Sequence, residues 1–255
     1  DSDPSFPNHF PDPVKEENLK DLIKEIKSGD YDVGISLDGD GDRLGIVDEK
    51  GGIIWGDMIM ILFARDVLKR HPGAKILFDV KCSQLLYDEI KRLGGIPIMY
   101  KTGHSLMKAK MREINAILAG EMSGHMFFKD EYFGYDDAVY AALRLIRILS
   151  NSDQSISEML SDLPKVYSTP EIRVKTTDEE KFKLVEEAKA YFALKYNILD
   201  IDGVRFQIED GWGLIRASNT APEIIVRCEA RTKEKLEFIK SEIEKSLHSL
   251  SIKWA

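Results

Sequence analysis

Between Trp55 and Ser150 short apolar runs alternate with longer amphipathic stretches, and this alternation constrains the fold more than any other feature. Residues 56–70, 83–93, 105–114 and 136–149 carry apolar positions at helical spacing, with strand-length apolar runs at 75–80, 96–100 and 116–121 between them. Strands separated by helices of this length pair side by side in parallel, which predicts an α/β fold with a doubly wound parallel sheet. In such sheets ligands collect beyond the C-terminal ends of the strands.

The flanks have other grammars. Residues 18–27 read as an amphipathic helix stopped by Gly29, followed by apolar strands at Val33–Leu37 and 44–47 and a Glu49-Lys-Gly-Gly52 turn. Residues 150–165 turn polar and irregular, which marks a boundary. Beyond it come a strand (171–175), a helix (178–195), three strands (203–208, 211–217, 223–229) and a last helix (232–250), a small α+β domain with an antiparallel sheet.

The loop after the first of these strands reads Asp38-Gly-Asp-Gly-Asp-Arg43. Glycines let the backbone bend so that three alternating carboxylates converge, and converging carboxylates repel one another unless a cation lies between them. Oxygen-only ligation favours a hard divalent ion, Mg²⁺ or Ca²⁺, over Zn²⁺. Arg43 adds a permanent charge suited to phosphate. Three other readings compete. A bare Asp/Gly turn is the simplest. An EF-hand matches at Asp38, Asp40, Asp42 and Glu49 but has Arg43 where its turn needs glycine, and strands where it needs helices. A dehalogenase-type phosphatase motif would carry Thr or Val in place of Asp42.

Composition narrows the partners. The 255 residues carry a net charge of −8 with 43% hydrophobic and 31% charged residues, a globular balance that disfavours nonspecific nucleic-acid binding. No apolar stretch approaches the roughly 20 residues needed to span a bilayer. Cys82 and Cys228 are far apart without CxxC spacing, which points to reduced thiols and a cytoplasmic location. The chain opens on Asp1-Ser-Asp-Pro rather than methionine and is expected to be part of a longer protein.

Three predicted strand ends carry polar clusters: Lys81 and Cys82 after the first, Lys101 to His104 after the second, and Gly120-Glu-Met-Ser-Gly-His125 after the third. Glu121 and Ser123 suit sugar hydroxyls, and His125 can exchange a proton near neutral pH. The simpler reading of that last cluster is a β-turn with a capping serine. In the last domain Arg216-Ala-Ser-Asn-Thr220 sets a guanidinium beside two hydroxyls in a strand-linking turn, with exposed N–H groups expected, a composition that cradles phosphate. Arg227 on the next strand is a weaker candidate.

Together, Asp38–Arg43, Gly120–His125 and Arg216–Thr220, with Phe6-Pro-Asn-His-Phe-Pro-Asp-Pro13 and Lys101-Thr-Gly-His-Ser105, resemble the α-D-phosphohexomutases over essentially the whole chain. Glu121-Met-Ser123 is most similar to the phosphomannomutase/phosphoglucomutase branch; the phosphoglucosamine mutases usually have glutamine where Met122 stands. The resemblance implies that residues 1–53 are the C-terminal part of domain 2 with the metal-binding loop, 54–165 the sugar-binding domain 3, and 166–255 the phosphate-binding domain 4. Domain 1, which bears the family's phosphoserine, would be absent. It further implies interconversion of hexose 1-phosphate and hexose 6-phosphate of mannose or glucose. Phosphoserine would be the donor and hexose 1,6-bisphosphate the intermediate and activator. Asp38, Asp40 and Asp42 would hold Mg²⁺, and Arg43 would assist the phosphoryl group. Glu121 and Ser123 would bind sugar hydroxyls; Arg216, Ser218, Asn219 and Thr220 would hold the non-reacting phosphate. His125, His104 and Lys81 would line the cleft. The chain alone is then expected to be inactive. The partners implied are hexose phosphates and the missing N-terminal domains, with no nucleic acid and no membrane. A sugar-phosphate binding fragment, a phosphatase with Asp38 as nucleophile and a structural Ca²⁺ module are the alternatives.

Overall fold

The computed structural model describes residues 3–247 and 252–254; positions 248–250 of the last expected helix lie outside the described residues. The chain divides into two compact units, Asp1–Leu163 and Pro164–Ala255.

The first unit opens with an irregular Pro-rich segment and a 3-10 turn, Glu16–Leu19, which runs into helix α1, Lys20–Ser28. Gly29 ends that helix as expected, donating its N–H to Ile26. Strands β1 (Val33–Leu37), β2 (Leu44–Asp48) and β3 (Ile53–Ile54) form an antiparallel sheet in that order. Two-residue β3 is too short to show in an apolar pattern. Every residue of β2 is buried, because α1, α2 and α5 all pack near it.

Helix α2 (Gly56–Arg70), strand β4 (Lys75–Asp79), α3 (Gln84–Arg92), β5 (Ile96–Tyr100), α4 (His104–Ile114) and β6 (Leu118–Gly120) follow the expected alternation. The sheet order is β5-β4-β6-β7, with β4 parallel to both neighbours. Strand β7 (Met126–Phe128), which no periodicity marked, returns antiparallel on β6. Successive strand side chains point to opposite faces. Phe127 accordingly packs with Leu77, Met107 and Met111 under α4, while Phe128 meets Phe63 of α2 edge-on at 4.9 Å. Helices thus cover both faces, as a doubly wound sheet requires. Helix α5 spans Ala138–Ser150 and α6 spans Ile156–Met159. The expected start of α5 was 136; instead Asp137 caps it by accepting the Tyr140 N–H, and Asp136 stays outside the helix.

The second unit adds β8 (Tyr167–Ser168), β9 (Ile172–Lys175), α7 (Glu180–Ala193), β10 (Asn197–Leu199), β11 (Val204–Ile208), β12 (Gly211–Ala217), β13 (Glu223–Ala230) and α8 (Lys233–Ser246). Its sheet runs β10-β11-β12-β13, with β8 and β9 both paired to β13, all antiparallel. Helices α7 and α8 lie together on one face over a core of Phe192, Phe206, Ile215, Val226 and Ile239. Phe206 stacks on Phe192 at 3.8 Å, and its ring occupies the space a side chain at the paired Gly213 would need, 2.4 Å from a built Cβ.

Truncating that ring leaves a cavity at the helix–sheet junction. Phe206→Ala is expected to lower unfolding stability by about 3–5 kcal/mol, measured by denaturant unfolding followed at a probe in the second unit.

Candidate active site

Leu37 pairs with Leu44, so residues 38–43 close one hairpin, and Gly41 at φ +75° lets the loop curl on itself. Asp38 points inward and is only 8% exposed. Its Oδ1 accepts the N–H groups of Asp42 and Arg43 at 3.0 Å each, and its Oδ2 accepts Arg43 Nε at 2.6 Å. Arg43 Nη1 also donates to Asp12 Oδ1 at 3.1 Å, tying the opening segment to the loop. One oxygen from each of Asp38, Asp40 and Asp42 lies within 4.8 Å of the others. Burial works to raise Asp38, but the Arg43 guanidinium and N–H hold its carboxyl below the usual range. Asp42 is pushed the other way, by burial and by the charges of Asp38 and Asp40, with His125 opposing. Three hard oxygen donors within reach of one another form a set that fits a divalent cation such as Mg²⁺.

A second hairpin supplies the facing residues. Gly120 pairs with Met126, so residues 121–125 form the turn, closed by Glu121 N–H to His125 O at 2.9 Å and Gly124 N–H to Glu121 O at 3.0 Å. The β-turn reading of this segment is therefore correct as geometry, and the turn carries the polar side chains. Leu44 N–H donates to Gly124 O at 3.0 Å, and Arg43 and His125 form an antiparallel bridge. Gly124 sits at φ +98°, and a Cβ there would lie 2.5 Å from Leu44 O. Ala138 N–H, at the start of α5, donates to Gly41 O at 3.0 Å.

The pairing delivers His125 to an acidic pair: its Nδ1 lies 3.1 Å from Asp136 Oδ2 and 3.5 Å from Asp42 Oδ1. Asp136 also faces His104 Nδ1 at 3.3 Å and Lys108 Nζ at 2.9 Å, and the two imidazoles stack with centroids 5.3 Å apart. Burial opposes a charge on His125, yet Asp136, Glu121 and Asp42 outweigh it and raise its pKa. Asp136 is driven well below the usual carboxylate range: burial pushes the other way, but His125 and Lys108 prevail.

Beside this cluster Glu121 is 2% exposed and its Oε1 accepts the Gly103 N–H at 2.5 Å. Burial and the charge of Asp79 push Glu121 up to about 7, against the pull of the Gly103 N–H, His125 and Lys81. Lys81, itself buried, lies 3.7 Å from Asp79. Ser123 is half-buried within the turn.

In the second unit, described by itself, Arg216 is buried on β12 and donates Nε to Asp202 Oδ2 at 2.9 Å. Its Nη2 is buried without a hydrogen-bond partner, an atom that fits an anion. The expected exposed N–H groups are a correction: Ser218 Oγ accepts the N–H of Thr220 at 3.3 Å and of Ala221 at 3.2 Å, closing the turn on itself. Asn219 and Thr220 are exposed, and Arg227 is buried with its guanidinium 5.6 Å from the Trp212 ring.

The first unit thus gathers Asp38, Asp40, Asp42, Arg43, His104, Glu121, Ser123, His125 and Lys81 at the hairpin tips and strand ends; the Arg216–Thr220 turn belongs to the other unit. Sequence reasoning missed Asp12, Asp79 and Asp136. A cavity of about 550 Å³ opens elsewhere in the first unit, near the C-terminal ends of α2 and α5. Its arginines are already matched to acids, Arg65 with Glu89 and Asp162, Arg70 with Asp66 and Glu131, so the polar cluster at the strand ends is the better candidate.

Three family models match the chain: phosphoglucomutase/phosphomannomutase alpha/beta/alpha domain II over residues 1–52, alpha/beta/alpha domain III over 55–167, and the C-terminal domain over 171–246. A phosphomannomutase/phosphoglucomutase of Pseudomonas aeruginosa is 49% identical over 250 residues, which are 97% of this chain and 54% of that protein. A phosphoglucomutase of Neisseria gonorrhoeae is 49% identical with the same coverage, 97% and 54%. The crystal structure of a phosphoglucomutase/phosphomannomutase family protein from Burkholderia thailandensis superposes with a TM-score of 0.91 at 43% identity, covering 99% of this chain and 55% of that one. The chain spans about half the length of the curated relatives it matches.

Glu121 generates a stability prediction. Raised from 4.5 to about 7, its carboxyl penalises the folded state increasingly as pH climbs from 4.5 to 7, reaching roughly 3 kcal/mol above that window. Glu121→Gln keeps an acceptor for Gly103 and is expected to stabilise the fold by about 1–3 kcal/mol at pH 8 but not at pH 4. Unfolding curves at the two pH values check it, and an equal effect at both would remove the protonation argument.

Proposed function

The chain belongs to the phosphoglucomutase/phosphomannomutase family, and on that premise we propose that it forms the metal-, sugar- and phosphate-binding parts of a hexose-phosphate mutase. Residues 1–53, 54–165 and 166–255 carry those three tasks in turn. The reaction is the interconversion of hexose 1-phosphate and hexose 6-phosphate, with mannose or glucose as the sugar. The observation that carries this reading is the main-chain pairing of Arg43 and Leu44 with Gly124 and His125, which keeps a cation loop beside partners for sugar hydroxyls within one compact unit.

The roles follow from the donor chemistry. Asp38, Asp40 and Asp42 hold Mg²⁺, which neutralises phosphoryl charge when bound. Arg43, anchored by two carboxylates with about a quarter of its side chain open (26%), faces the phosphoryl group. Glu121 and Ser123 bind sugar hydroxyls; half-protonated near neutrality, Glu121 can both donate and accept. Arg216, with its unpartnered buried Nη2, Ser218, Asn219 and Thr220 hold the phosphate that does not react. His125 is poised to carry a proton, flanked by His104 and Lys81. Phosphoryl transfer depends mainly on positioning and charge, but a mutase also needs a nucleophile that passes through a phosphorylated state. In this reading a phosphoserine outside these residues fills that role, and hexose 1,6-bisphosphate is the intermediate that turns over before it returns a phosphoryl group. The 255-residue polypeptide by itself then binds hexose phosphates without turnover, and a cytoplasmic location goes with that chemistry.

A dehalogenase-type phosphatase would use Asp38 as nucleophile. Both oxygens of Asp38 are engaged by Arg43 and main-chain N–H groups, and the side chain is nearly buried, which disfavours that role.

Calorimetric titration tests the proposal. Mannose 1-phosphate and glucose 1-phosphate are expected to bind and free mannose not, with Arg216→Ala weakening both by tenfold or more, about 1.4 kcal/mol. Equal binding of free mannose, or multiple turnovers by this polypeptide, would refute the assignment. Asp40 is exposed, so Asp40→Asn should leave folding intact and weaken Mg²⁺ binding by about tenfold, read by magnesium titration.

A further inference from the structure

Asp79, the last residue of the central strand β4, has no exposed surface, yet donors from three strand-end loops meet on it. Its Oδ1 accepts the Met122 N–H at 3.3 Å and Cys82 Sγ at 3.1 Å, and its Oδ2 accepts the Thr102 hydroxyl at 3.1 Å. Lys81 Nζ stands 3.7 Å away. A buried carboxylate is costly unless fully engaged. Here both oxygens accept, which an amide of the same shape cannot reproduce, since asparagine offers one acceptor oxygen and two donors.

The arrangement grips Glu121 from two ends. Met122, whose N–H is held by Asp79, follows Glu121 directly in the chain, so its peptide is the one that carries Glu121. Thr102, whose hydroxyl is held by the same carboxylate, precedes Gly103, whose N–H holds the Glu121 carboxylate. We propose that Asp79 is a positioning residue for sugar recognition: it fixes both the peptide that bears Glu121 and the loop that grips its carboxylate. This rests on the sugar-binding role proposed for Glu121. The strongest charged neighbours of Glu121 are Asp79 and Lys81 from the end of β4 and His125 from its own turn, and among these Asp79 is the acid. Removing that charge therefore leaves cations and the Gly103 N–H to favour the ionised form.

The test uses the 255-residue chain with glutamate carboxyl carbons labelled, the Glu121 resonance being assigned by its loss in Glu121→Gln. In Asp79→Asn the Glu121 titration is expected to move down by about one unit or more, a change that a merely structural role would not produce. Affinity for glucose 1-phosphate should fall about tenfold in Asp79→Asn, and less than about twofold when the same change is made in the Glu121→Gln background, because the two act through one contact. Should Asp79→Asn fail to fold, Thr102→Val removes one arm of the grip and is expected to cost about threefold in affinity; no change would count against the proposal. An unmoved Glu121 titration, or affinity losses that add in the double variant, would overturn it. If the unmodified chain binds no glucose 1-phosphate, the mutase reading fails by itself, and the Glu121 titration still decides the role of Asp79.

Discussion

The site depends on a main-chain contact between the tips of two hairpins that belong to different sheets. Leu44 donates its N–H to Gly124 O, next to the bridge between Arg43 and His125. One such bond contributes only about 1 kcal/mol net, too little to dictate an arrangement alone. The register is enforced because several independent constraints agree on it. Gly124 adopts a backbone angle that glycine alone tolerates well, at a distance no side chain would permit. Gly41 meanwhile gives its carbonyl to the start of α5. Each constraint is local, and together they set the aspartate loop, the turn bearing Glu121 and His125, and Asp136 at fixed mutual distances.

Side-chain chemistry then follows from what the main chain has brought together. His125 lies within reach of Asp42 and Asp136, and those neighbours outweigh burial in favouring its charged form. Glu121 lies a few residues away in the same turn and is raised as well, to about 7, first because it is buried and then because the Asp79 carboxylate lies beside it. Both groups of one short turn thus hold their protons more tightly than usual, so the turn presents a charged imidazole close to a carboxyl that titrates near neutrality.

The parts legible in the sequence were those where composition itself was improbable. Alternating aspartates and glycines at 38–42 have few uses, and the strand–helix alternation from Trp55 onward admits few topologies. Arg216 was visible for a similar reason, since a strand-linking turn has little need of a guanidinium. The residues that escaped notice are chemically ordinary in their local context. Asp79 ends an apolar strand and Asp136 precedes a helix, positions where a carboxylate is commonplace; only their three-dimensional partners make them unusual. Strand β7 was missed because Met126–Phe128 is too short to show a period, and its pairing to β6 is dictated by the turn rather than by its own residues. The exposed N–H groups expected around Ser218 were misjudged because a serine that can receive phosphate can equally close its own turn.

The electrostatic balance of the first unit carries one more consequence. Around the hairpin tips Asp38, Asp40, Asp42, Asp79, Glu121 and Asp136 outnumber the permanent cations Arg43, Lys81 and Lys108, even though the proposed ligand is an anion. An anion approaching such a surface is repelled unless the acids are neutralised from within. Three means are built in: Arg43 sits against Asp38, the histidines and Lys108 converge on Asp136, and Glu121 retains its proton over part of the neutral range. What remains least compensated is Asp40 and Asp42, in the loop whose three carboxylates fit a divalent cation. The site is therefore balanced for an anion only after a cation has joined it, which is what the metal role proposed for this loop requires.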